Sequence, residues 1–405
     1  MSEAVTQPDR AAEKPPSVFN VGASLRQYGI FLALVLIIVL FQFLTDGRLL
    51  QPNNVTSLVQ QNAYVLILAV GMLMVIVAGH IDLSVGSVVA AVGGVIGVLM
   101  IDYDWGTWIT VLVALLIGGL IGAWQGFWVA YVGVPAFIVT LGGMMIFRGV
   151  ALVLVGYTRS GFESDFIAIS NSGVAGLTGF VGMLDAFTLI VGIIGILAVL
   201  FFSIRKRLAL RKRNLDVEPS VLFWVKLVSL AAAIGLATYW IARSNLALPY
   251  VLIIVGAVVF AYAWLMGSTV FGRHVYAIGG NLAAAKLSGI NTKKVNFWLF
   301  VNMGLLGGLA AIIVTSRAGA AAAAAGTGYE LDVIAACFIG GAAVTGGIGR
   351  VSGAVIGALI MGVLNMGLSI MGVDPSWQQI IKGLVLTLAV AFDLINKSRS
   401  AGRAG

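Results

Sequence analysis

Long apolar runs separated by short polar breaks dominate this chain of 405 residues. The runs cover 28–44, 61–78, 83–100, 108–131, 136–155, 187–203, 222–242, 249–266, 295–315, 333–347, 352–371 and 377–394. A bilayer demands roughly 20 apolar residues per helix, so the pattern predicts about twelve membrane spans. Several runs fall short of that length. Those near Leu83 and Val333 are expected to be broken or re-entrant helices. The predicted fold class is therefore all-α and polytopic. Residues 1–24 are polar, contain Pro8, Pro15 and Pro16, and read as a disordered cytoplasmic tail. No cleavable signal precedes the first run, so 28–44 is expected to be a retained helix. Residues 25–398 then form one membrane domain.

Composition sharpens this picture. The chain is 60% hydrophobic and only 10% charged, with a mean hydropathy of +1.05, which excludes a soluble globular domain. Many of the 52 glycines fall within apolar runs, where they allow helices to approach closely. The net charge of +8 sits at membrane boundaries and carries no nucleic-acid signal. One cysteine, Cys337, and two histidines, His80 and His274, leave no disulfide framework and no metal site.

Basic residues also fix the orientation. With the N-terminus in the cytoplasm, four arginines (Arg48, Arg159, Arg243, Arg317) fall outside, and Arg148 and Lys382 fall within spans. The remaining 18 of the 24 basic residues are cytoplasmic. This places both termini, a basic loop 204–221 and a loop 268–294 inside, and a loop 156–186 outside. The segment 208–248 reads as an inserted basic loop followed by an extra span.

Two echoes suggest inverted halves, as in many transporters. His80-Ile81-Asp82-Leu83 resembles Glu330-Leu331-Asp332-Val333, and Gly133-Val134-Pro135 resembles Gly372-Val373-Asp374-Pro375. The stretch 271–291 stands apart from both. Gly279-Gly280 breaks the chain, Asn281 suits an N-cap, 282–288 is Ala-rich and helical, and Gly289 suits the position that ends a helix. Lys286 carries a charge, Leu282 and Ala285 lie on an apolar side, and Arg273, His274, Lys293 and Lys294 flank the element. It reads as a short rigid helix offered to another protein. A plain connector between two membrane helices is the competing reading.

The candidate chemistry is sparse. An ionised acid at membrane depth is costly, so Asp82 is a candidate coupling group. It also suits a helix cap, accepting the amide of Ser84 or Val85, and Asp332 suits the same role before Val333. The matching pair favours caps. Arg148 is suited to binding helix-end carbonyls or to lining a water-filled path. Gln125 and Trp128, beside Trp124 and Tyr131, form a polar-aromatic face, and Asn365 and Gln378 occupy the matching part of the second half. Such residues suit a polar substrate path, and equally interfacial aromatics and interhelical amide bonds. The run Gly319–Gly326 is low in complexity and receives no chemistry. No P-loop, GxSxG or HExxH motif and no paired carboxylates occur, so the chain reads as neither an ATPase nor another enzyme, and it calls for no cofactor.

Taken together, GHIDLSVGS (79–87), GVPAFIVTLGGMMIFRG (133–149), FGRHVYAIGGNLAAAKLSGIN (271–291), ELDVIAACFIGG (330–341) and TGGIGRVSGAVIGALIMG (345–362) resemble the permease subunits of bacterial monosaccharide ABC importers. This is the group serving ribose, galactose and xylose. The segment 205–248 and Trp377-Gln378-Gln379 make the chain most similar to the xylose branch. The resemblance implies a permease homodimer in the bacterial inner membrane, in contact with lipid. It implies an ATP-binding subunit in the cytoplasm and a periplasmic or extracellular sugar-binding protein as partners. It further implies that 281–288 is the coupling helix, shaped by Gly279, Gly280, Asn281, Leu282, Lys286 and Gly289. His80 departs from the acidic residue commoner at its position in the family, which puts sugar preference in question. A proton-coupled secondary transporter centred on Asp82 and a non-transporting membrane scaffold are the alternative classes.

Overall fold

The computed structural model describes residues 21–401 apart from 157, 216 and 218, so residues 1–20 of the expected tail lie outside the described residues. Helix α1 (Val21–Leu44) begins inside the stretch read as that tail. The chain continues through α2 (Pro52–Val77), α3 (Val85–Gly97), α4 (Thr107–Phe127) and α5 (Ala136–Val155). The segment 156–186 carries β1 (Arg159–Ser160), α6 (Ser164–Asn171), β2 (Phe180–Val181) and β3 (Leu184–Asp185). Then come α7 (Ala186–Lys212), α8 (Ser220–Ala242), α9 (Tyr250–Ser268), α10 (Val270–Gly280), α11 (Leu282–Leu287) and α12 (Thr292–Ala318). The two-residue strand β4 (Ala320–Ala321) precedes α13 (Tyr329–Ile339), α14 (Val351–Ile370) and α15 (Pro375–Ala401). The chain is an all-α polytopic membrane protein.

Nine helices among the described residues are long and apolar enough to cross a membrane. One of the expected spans differs, for α13 has only 11 residues. The run 333–347 therefore does not form one span. Helix α13 stops at Ile339 because Gly341, Gly346 and Gly347 adopt positive φ and turn the chain. The basic loop expected at 204–221 is also shorter than the sequence suggested. Helix α7 continues through Arg205, Lys206, Arg207 and Arg211 to Lys212, since no breaker occurs before Asn214 at φ 52°. The Arg207 guanidinium lies 4.4 Å from the Phe223 ring centroid and donates to Ser220 Oγ at 3.0 Å, tying α7 to α8.

The core is built on α2 and α12. A helix apolar on every side belongs in an interior, and nearly every residue of α2 from Ala63 to Val77 is buried. The two central helices run in opposite directions. Gln60, near the start of α2, meets Arg317 in the last turn of α12, while the last turn of α2 meets α10, which precedes α12. Each packs on the other half's members: α12 on α4 and α3, α2 on α14 and α13.

Glycines set the closeness of these contacts. Gly118, Gly122 and Gly126 of α4 lie against the backbone of α12 at Gly304, Phe300 and Phe297, with no room for a Cβ. In the second half Gly357 of α14 lies against the Ala336 carbonyl of α13. Such small-residue interfaces take the place of hydrophobic driving force within lipid.

The run near Leu83 is not broken, since the helix begun by α3 continues through Asp102 and is one of the nine long helices, whereas α13 stays short. After α2 the chain is non-helical from Gly79 to Ser84 before α3 starts, and after α12 it is largely irregular from Gly319 to Gly328 before α13 starts. The two restarts meet, for Gly86 in the first turn of α3 lies against the backbone of Gly326. The segment 156–186 is a structured element rather than a plain loop. Helix α6 sits on the end of α12, where Ser170 Oγ donates to Ile313 O at 2.9 Å and Ser316 Oγ to Phe166 O at 2.7 Å.

Candidate functional site

The loop 268–294 folds into α10 and α11 by local chemistry. The Thr269 hydroxyl accepts the Gly272 amide at 3.1 Å and starts α10. Asn281 is extended, and its Oδ1 accepts the Ala284 amide at 2.9 Å to start α11. Gly289, at φ 79°, closes α11, with the Ile290 amide donating back to Ala285 O at 3.1 Å. Asn291 then caps α12 through the Lys294 amide at 3.0 Å. Three consecutive elements are thus delimited by side-chain caps.

Only Ala285 anchors α11 by burial. Lys286 is exposed, Leu282 is 46% exposed and Leu287 is 90% exposed. The base of α10 is gripped from both halves of the molecule. Gly279 lies against the Val77 carbonyl at the end of α2 and within 2.6 Å, measured from an added Cβ, of the Gly347 amide. The Gly347 amide itself donates to Val77 O at 2.8 Å. Tyr276 donates its hydroxyl to Gly349 O at 2.8 Å. Burial lifts the Tyr276 phenol above its ordinary value, with the Arg350 charge acting the other way. Gly280, by contrast, has open space where a Cβ would stand.

Two polar networks lie deeper. Asp82 Oδ1 accepts the Ser84 amide at 2.8 Å and its hydroxyl at 2.6 Å, and Gln125 Nε2 donates to Ser84 Oγ at 2.6 Å. This links the start of α3 to α4. The second network corrects the expectation for Asp332, which is not a helix cap. It sits on the first turn of α13, and its Oδ2 accepts from Tyr64 at 2.8 Å, Lys382 at 3.1 Å and Asn365 Nδ2 at 3.5 Å. Its partners come from α2, α15 and α14. The carboxylate is buried and its lysine three-quarters buried, so the pair is held by position rather than by solvent. The cap expectation fails because the residues that satisfy Asp332 are remote in sequence.

The expected pathway residues do not converge. Gln125 is buried on Ser84. Trp128 lies in a π-helical turn, Trp128–Val132, edge-on to Trp124 at 6.4 Å. Arg148 donates to Ala323 O at 2.7 Å and Ala325 O at 2.8 Å, holding the alanine-rich segment between α12 and α13. Asn365 belongs to the Asp332 network, and Gln378 Nε2 bonds Val373 O at 2.8 Å in its own turn. The sequence reading passed over Tyr64 and Tyr329, whose rings stack with centroids 3.6 Å apart, and the amides Gln60 and Gln61. Polar residues opening the apolar run of α2 were the available signal.

Comparison with known proteins adds the following. The family described as branched-chain amino acid transport system / permease component matches residues 54–390. The xylose transport system permease protein XylH of Escherichia coli strain K12 is 39% identical over 378 residues, covering 93% of this chain and 94% of that protein. XylH of Haemophilus influenzae is 36% identical, covering 93% and 98%. The ribose import permease protein RbsC of Haemophilus influenzae is 35% identical, covering 93% and 96%. No solved structure matches the chain.

Proposed function

The chain belongs to the branched-chain amino acid transport system / permease component family, and from that premise we propose that it is the translocation subunit of an ATP-driven monosaccharide importer of the inner membrane. Its similarity to xylose and ribose permeases along nearly the whole chain supports a sugar, with D-xylose the first candidate. ATP hydrolysis resides on a separate chain, and a binding protein delivers the sugar from outside. Residues 25–398 act as one permease domain, paired with a second copy. The loop 268–294 faces the ATPase and the segment 156–186 faces the binding protein.

The observation carrying this reading is the α10–α11 unit. It presents Leu282, Lys286 and Leu287 outward and is fastened at Gly279 to α2 and to the Gly346-Gly347 turn. A push on α11 therefore reaches both halves of the bundle through contacts with no slack. ATP binding in the partner draws two such helices together, and the halves rock around the junction of α3 and α13. The substrate need only bind the two states differently. A proton-coupled mechanism centred on Asp82 gains no support, since the Asp82 carboxylate is committed to the amide and hydroxyl of Ser84.

Uptake of D-xylose into proteoliposomes tests the reading. Transport is expected only with the ATPase, the binding protein and ATP all present, and a protonophore leaves it unchanged. Uptake by this chain alone, abolished by a protonophore, would overturn it.

A further inference from the structure

A cleft of about 410 Å³ lies between α2, α6, the end of α12 and the start of α13. It falls within the roughly 300–1,000 Å³ of small-molecule sites. In the orientation proposed above it faces the side from which a binding protein delivers. None of the five residues first chosen for the pathway lines it.

The lining has a definite chemistry. Helix α2 supplies Gln60, Gln61 and Tyr64, α6 ends in Asn171, α12 supplies Arg317, and α13 opens with Tyr329. Gln60 is fixed by donating to Ser170 O at 2.7 Å and accepting from Arg317 at 3.4 Å. Asn171 is fixed by donating to Ser316 O at 3.0 Å and Arg317 O at 3.2 Å. Its Oδ1 accepts no hydrogen bond among the described residues. Gln61 is exposed and makes no hydrogen bond among them either. Fixed amides beside a free amide and a guanidinium with donors to spare are what a polar solute needs. Ile313, Val314 and the stacked Tyr64 and Tyr329 rings add apolar surface.

The same inventory narrows the ligand. A free amino acid brings an ammonium, and no carboxylate lines the cleft. The nearby Asp332 carboxylate is already taken by Tyr64, Lys382 and Asn365. A neutral polyol brings hydroxyls that both donate and accept, which carboxamides match in either sense, and C–H faces that rest on aromatic rings.

We propose that this cleft is a monosaccharide-binding vestibule. Gln61, Asn171 and Arg317 bond the sugar hydroxyls, and the Tyr64–Tyr329 pair supports the ring. The proposal rests on the importer reading and locates the external sugar site within it. It also gives occupancy a route inward, because Tyr64 joins the stack at its ring and Asp332 at its hydroxyl.

Gln61 suits the test, since replacing it breaks no internal contact. Cys337, the single native cysteine, is buried and leaves little labelling background. In the reconstituted transporter, Gln61→Ala is expected to raise the KM for D-xylose by about tenfold, the effect of losing one good hydrogen bond. In the Gln61→Cys variant, D-xylose or D-ribose added outside is expected to slow modification by a membrane-impermeant thiol reagent several-fold, and L-leucine is not. If the wild type carries D-xylose while the KM and the labelling rate both stay unchanged, the vestibule is wrong and the importer reading stands. If the wild type instead carries L-leucine, and L-leucine alone protects, the sugar reading falls and takes the vestibule with it.

Discussion

Asp332 and Lys382 lie 50 positions apart in the chain and 3.1 Å apart in space. A buried charge left without its partner costs about 3–5 kcal/mol, whereas removing both partners is often nearly neutral. Lys382→Met is therefore expected to lower stability by about 3 kcal/mol or more, read from thermal unfolding in detergent. Adding Asp332→Asn is expected to restore most of the loss; a double variant as unstable as the single one would show that the pair is incidental. Asp185 illustrates a polar group satisfied locally instead. Burial pushes its carboxyl up, but the Thr188 amide and hydroxyl and the Gly176 amide outweigh that and hold it below its ordinary value. A lowered native value stabilises the fold above the unfolded carboxyl value of about 3.9, and the contribution is lost as pH falls below that value and through the lower native one. Asp185→Ala is expected to cost about 1–2 kcal/mol at pH 7, with the gap to wild type closing below about pH 4. Stability measured along a pH series checks this. Asp185 stands three residues before the Thr188 it caps, so its role is local; the partners of Asp332 become visible only once α2, α14 and α15 are packed.

Among the elements, α11 was the most legible. Its cap, its length and its closing glycine are set by neighbours within a few residues, which is why 282–288 and Gly289 could be read directly. The glycine pair before it was legible only in part. The sequence treats Gly279 and Gly280 alike, yet a Cβ on Gly279 meets the Val77 carbonyl whereas Gly280 has open space. In the full transporter, Gly279→Ala is expected to cut sugar moved per ATP hydrolysed by about tenfold, a loosening worth about 1.4 kcal/mol. Gly280→Ala stays near wild type. Equal behaviour of the two variants, with uptake and hydrolysis measured together, would remove the argument that α10 is gripped at Gly279. The short α13 was foreseen from the apolar run near Val333, but the break expected near Leu83 is not found, since the helix begun by α3 runs on to Asp102. The extension of α7 through Lys212 was not foreseen, because charge marks a membrane boundary and says nothing of where a helix stops.

Over the whole molecule, each central helix packs on the opposite half's members. The starts of α3 and α13 lie close together, so a rocking of the halves would change the space around that junction first. Prohibiting that motion, for instance with a crosslink between Gly86→Cys and Gly326→Cys, runs into a contact too close for any side chain. Coupling is better interrogated at α10, which touches both halves. Hydropathy, glycine content and basic residues determined by themselves that the chain is a polytopic α-helical membrane protein, and its motifs pointed to its family. These are local properties, set by what a few neighbouring residues prefer in lipid, at an interface or at a helix end. Only the tertiary structure decided which polar atoms meet. Tyr64 and Asp332 are separated by 268 residues, and Arg148 finds the alanine-rich segment 175 residues away. The cleft around Gln61 and Arg317 joins side chains from four such distant segments, and no run of sequence encodes a meeting that depends on how whole helices pack.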